Sequence, residues 1–80
     1  MNKATIKKEL EKIAQDLMKG EFGDLYDFSV IEQNGQIILI DHTEESYENR
    51  WMIQDFERAL STKGMFLECE CPGRYIVCEE

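Results

Sequence analysis

Apolar and polar positions recur along this chain with two different periods, and the change of period divides it into four segments. Ile6, Leu10, Ile13, Ala14, Leu17 and Met18 return at helical spacing, with Lys7, Lys8, Glu11, Lys12 and Gln15 between them. The spacing predicts a helix from about Thr5 to Lys19, stopped at Gly20. Tyr26 to Glu32 and Gln36 to Asp41 follow as β-branched and aromatic runs around Asn34-Gly35, the pair that accepts the positive φ angles of a type I′ turn. With those two as turn residues, Gln33 faces Gln36, Ile31 faces Ile38, Val30 faces Leu39 and Ser29 faces Ile40.

The helical period then returns. Thr43 before Glu44 and Glu45 has the form of an N-cap with acids in the first turn, and Lys63-Gly64 supplies a C-terminal end. A second helix is predicted from about Glu44 to Thr62, its apolar side made by Tyr47, Trp51, Met52, Phe56, Ala59 and Leu60. Met65 to Cys71 and Arg74 to Glu79 read as a second hairpin around Pro72-Gly73, a pair that favours type II geometry and fixes the register less firmly. The expected fold class is α+β: one small domain over residues 1–80, in α-β-β-α-β-β order, with a four-stranded antiparallel sheet and two helices.

Alternation along the strands assigns side chains to faces. In the first hairpin one face holds Phe28, Val30, Ile37 and Leu39, and the other holds Ile31, Ile38 and Ile40 beside Ser29 and His42. In the second, Leu67, Cys69, Cys71, Ile76 and Cys78 share one side and Phe66, Tyr75 and Val77 share the other, with Glu68, Glu70 and Glu79. Two helices over one face would cover Phe28, Val30, Ile37, Leu39, Leu67, Cys69 and Ile76. That leaves Ile31, Ile38, Ile40, Phe66, Tyr75 and Val77 as an apolar patch of a kind soluble monomers rarely expose in one piece. Those six, with Glu68, Glu70 and Glu79 as an acidic rim, are the expected partner-binding residues. Helices on opposite faces would instead make all of them ordinary core.

Charge sharpens that expectation. Seventeen acidic and nine basic side chains give a net charge of −8, which repels a phosphate backbone and argues against direct nucleic-acid binding. Residues 1–20 hold five lysines and three acids, whereas residues 21–80 hold four basic and fourteen acidic side chains, so a partner of the second part should be basic. The same acids, from Asp41 to Glu48 and from Glu68 to Glu79, could alternatively imitate a nucleic-acid backbone and inhibit a DNA- or RNA-binding protein, as phage and mobile-element inhibitors of this size and charge do. A homodimer through sheet faces is a third possibility.

The longest apolar run, Ile37 to Ile40, is far below the roughly 20 residues of a membrane span, and Met1 to Gly20 lacks the apolar stretch of a signal peptide. An odd count of three cysteines agrees with reduced thiols, so the expected location is the cytoplasm. Cys69, Cys71, Cys78 and His42 have the ligand types of a zinc site, but Cys-x-Cys within a strand lacks the turn-borne Cys-x-x-Cys spacing, and small buried thiols are the expectation. His42 has no nucleophile beside it in sequence and reads as a polar residue leading into the Thr43 cap. With no phosphate-binding glycine loop or paired catalytic motif, neither an enzyme nor a cofactor is expected.

Overall fold

The structure, a computed structural model, describes residues 2–21, 23, 26–42 and 53–80. Its element order is α1 (Lys3–Lys19), β1 (Phe28–Gln33), β2 (Gln36–Asp41), α2 (Gln54–Ser61), β3 (Met65–Cys71) and β4 (Arg74–Glu79). This is the α+β arrangement that the sequence pattern predicts.

Helix α1 begins two residues before the predicted start because Asn2 caps it, its side-chain oxygen accepting the Ala4 N–H at 2.8 Å. It buries Ile6, Leu10 and Ala14, one stripe of the predicted face. Gly20 closes the helix with extended backbone, so it is not a left-handed cap. At the end of α2 the expected glycine stop is present: the Lys63 and Gly64 N–H groups donate to Leu60 and Ser61 carbonyls, and Gly64 has φ +70°. Helix α2 buries Phe56 and Leu60. The Thr43 cap and the predicted helical residues Glu44 to Met52, including Tyr47, Trp51 and Met52, lie outside the described residues.

The four strands form one antiparallel sheet in the order β1-β2-β4-β3. Asn34 and Gly35 both have positive φ, 54° and 77°, and the first hairpin takes the register read from them, from Gln33 opposite Gln36 to Ser29 opposite Ile40. The second hairpin departs from expectation. Its pairing shifts between Cys69 and Cys71, so Glu70 is an extra residue and Cys69 pairs with Tyr75 rather than with Ile76. One added residue reverses the parity of β4 relative to β3. Tyr75 and Val77 therefore share a face with Leu67 and Leu39, and Ile76 and Cys78 share the other with Phe66 and Ile38.

Both helices cover the first of these faces. Ile6, Leu10 and Ala14 of α1 and Ile53, Phe56 and Leu60 at α2 pack on Phe28, Ile37, Leu39, Met65, Leu67 and Tyr75. Phe28 anchors the layer, its ring edge-on to Phe56 at 5.0 Å and stacked with Tyr26 at 5.8 Å. An ion pair of 2.9 Å between Lys63 and Glu9 ties the end of α2 to α1.

Candidate interaction surface

The sheet face turned away from the helices carries Ser29, Ile31 and Gln33 from β1, Gln36, Ile38 and Ile40 from β2, Arg74, Ile76 and Cys78 from β4, and Phe66 and Glu68 from β3. Ile31, Ile40 and Ile76 are half-buried, and Phe66, at 41% exposure, is the exposed large apolar side chain among the described residues. In the register Ile31 and Ile76 flank Ile38 in one row, with Ile40 on one side of that row and Phe66 on the other, so the apolar positions form a strip that runs diagonally across the sheet.

Of the predicted contact residues, the structure brings Ile31, Ile38, Ile40, Phe66 and Glu68 together on this face. Ile38 is only 2% exposed, so it supports the surface rather than presenting itself. Tyr75, 1% exposed, is core on the helix side, and Val77 packs against that core. Glu79 pairs with Met65 and so belongs to the helix-side parity, while Glu70 occupies the bulge. The bulge is the common reason that Tyr75, Val77, Glu70 and Glu79 depart from expectation. Ile76, expected under the helices, is the residue that replaces Tyr75 and Val77 on the open face.

Polar contacts frame the strip. Arg74 donates through Nε to Glu70 Oε2 at 2.9 Å and through a terminal nitrogen to Gln33 Oε1 at 2.8 Å. Glu68 accepts the Cys78 thiol at 3.5 Å. Partial burial, and the hydrogen bond and negative charge of Glu68, push the Cys78 thiol above its ordinary pKa, because a thiolate there would be poorly solvated and repelled. Cys69 and Cys71 are exposed and Cys78 half-buried, so the expectation of three buried thiols is corrected. No group of three or more His, Cys, Asp or Glu side chains converges as metal ligands among the described residues.

His42 does have a hydroxyl beside it. Its Nε2 lies 2.8 Å from Ser29 Oγ, a pairing invisible in sequence until the hairpin register sets the two strand ends together. Activating a serine requires a base oriented by a third group and donors for the developing oxyanion. The described residues show the Ser29–His42 contact alone, and the pair lies as a polar margin at one end of the apolar strip. Among the described residues, no helix is long and apolar enough to cross a membrane. The chain matches no protein-family model, no curated protein and no solved structure.

Proposed function

We propose that this chain is a non-enzymatic, cytoplasmic protein-binding module, a small acidic regulator or inhibitor that docks its partner on the open face of the sheet. The observation that carries the reading is the strip of Ile31, Ile40, Ile76 and Phe66 on the face that neither described helix covers. Complete burial of a large apolar side chain is worth about 1.5–3 kcal/mol, and side chains already half-buried retain on the order of 1 kcal/mol each for a partner. That supports a specific contact of moderate strength once association costs are subtracted.

Charge selects the partner. With a net charge of −8 and Glu68 and Glu70 beside the strip, the complementary surface is apolar at its centre and basic at its edge. Nucleic-acid mimicry ranks second, because it makes no use of the apolar positions on this face, and two of the exposed acids beside them already have partners, Glu70 in Arg74 and Glu68 in Cys78. The test is the affinity of a purified partner for the wild-type chain and for Ile40→Asp. Docking on the strip predicts at least about tenfold weaker binding by the folded variant, with only modest dependence on salt. Unchanged affinity rejects the open face; binding that collapses in salt while ignoring Ile40→Asp selects mimicry.

A further inference from the structure

Among the described residues the sheet ends at β1 on one side and at β3 on the other, and these two edges are built differently. Strand β3 carries exposed Glu68 and Glu70 and the bulge, features that discourage pairing with another strand. Strand β1 has no bulge, and its central residues, Phe28, Ser29, Val30 and Ile31, are uncharged. A groove follows this edge, walled by Glu11, Ala14, Gln15 and Met18 of α1 and bordered by all four of those consecutive β1 residues. Consecutive strand residues point to opposite faces, so a groove touching all four runs along the strand's backbone edge.

The hairpin register also tells which backbone groups face outward. In a two-residue hairpin the closing pair, Gln33 and Gln36, is hydrogen-bonded, and such pairs alternate with open ones. The inward pairs are then Gln33–Gln36, Ile31–Ile38 and Ser29–Ile40. Phe28, Val30 and Glu32 direct their N–H and C=O groups away from β2. On the other side of β2 the same rule turns the Asp41 N–H toward β4, where it donates to Gly73 O at 2.8 Å.

We infer that the β1 edge pairs with β1 of a second copy, in antiparallel register about Val30, to make a continuous eight-stranded sheet. In that register the outward residues meet: Val30 faces Val30 of the second copy, and Phe28 faces Glu32. Each such pair exchanges two backbone hydrogen bonds. Ser29 faces Ile31, Asp27 faces Gln33, and within the paired strands no acid stands opposite an acid, which favours a second copy over the acidic β3 edge as the occupant. This surface is separate from the open face, and pairing would set two open faces side by side.

The experiment is sedimentation equilibrium of the full chain from about 10 µM to 1 mM in physiological salt, a range suited to a contact of moderate strength. Amide exchange is followed in parallel. The expected result is a mass rising toward twice the 9.4 kDa of one chain, with the Val30 and Glu32 amides increasingly protected. Glu32→Pro removes an outward N–H without touching the β1–β2 ladder and should remain a folded monomer; Val30→Lys sets two cations face to face at a position that also packs on the core, and where its circular dichroism matches wild type it too should be monomeric, while Ile40→Asp should still dimerise. A wild-type monomer at 1 mM overturns the inference. So does a dimer that survives Glu32→Pro and Val30→Lys, or one lost in folded Ile40→Asp, which would place the contact on the open face.

Discussion

The guanidinium of Arg74 in β4 reaches the side-chain amide of Gln33 in β1 at 2.8 Å, although β2 lies between their strands. Arg74 pairs with Ile40 and Gln33 with Gln36, so the bond crosses the open face diagonally at the level of Ile38. The Arg74 stem thereby helps shelter an isoleucine on the face opposite the described helices. Its ion pair with Glu70 is half-exposed and contributes little alone. Arg74→Ala should cost about 1–2 kcal/mol through lost packing and the bridging bond. Urea unfolding measures it, and Arg74→Lys, which cannot reproduce the fork, should recover only part.

Ile38 and Ile40 sit two residues apart on the same face but should respond differently. Ile38→Ala removes buried methyl groups and should cost about 2–4 kcal/mol, whereas Ile40→Ala should cost about 1 kcal/mol or less. Equal losses in thermal or urea unfolding would show that the open face is covered.

Two glycines are required for separate reasons. A Cβ at Gly23 would lie 2.0 Å from the Met18 carbonyl oxygen, so Gly23→Ala should cost about 2 kcal/mol or more by displacing backbone. Gly35 has φ +77° in the type I′ turn, and Gly35→Ala should cost about 1–2 kcal/mol through conformation. Gly35→Asn should recover part of that loss because asparagine tolerates the left-handed region.

The thiols should separate kinetically. Cys69 and Cys71 are exposed, while Cys78 is half-buried with its pKa raised by desolvation and by Glu68. Near neutral pH Cys78 should alkylate last. Glu68→Gln should lower the Cys78 pKa and speed its alkylation, as mass spectrometry of peptides from timed reactions would show.

What was legible in the sequence follows from how local its cause is. Asn34-Gly35 dictates a turn whose geometry fixes every partner from Phe28 to Asp41, so the first hairpin and its faces were readable directly. The parity of β4 was not, because the extra residue at Glu70 has no glycine or proline of its own to announce it. Pro72-Gly73 marked the turn, and strand alternation placed Tyr75 and Val77 outside and Ile76 inside; burial of the large Tyr75 side chain against Leu39 is a nonlocal outcome. The Asn2 cap was missed because the apolar stripe starts only at Ile6. The Ser29–His42 contact required the register plus the strand ends, and the Arg74–Gln33 bridge required the strand order, which no local pattern encodes.

The most direct test of the open-face account is a methyl spectrum of the isoleucines with and without the purified partner. The account predicts shifts or broadening at Ile31, Ile40 and Ile76, with Ile6, Ile37 and Ile53 in the helix-side core nearly unmoved. Perturbation confined to the helix side, with Ile31, Ile40 and Ile76 unchanged, would contradict it.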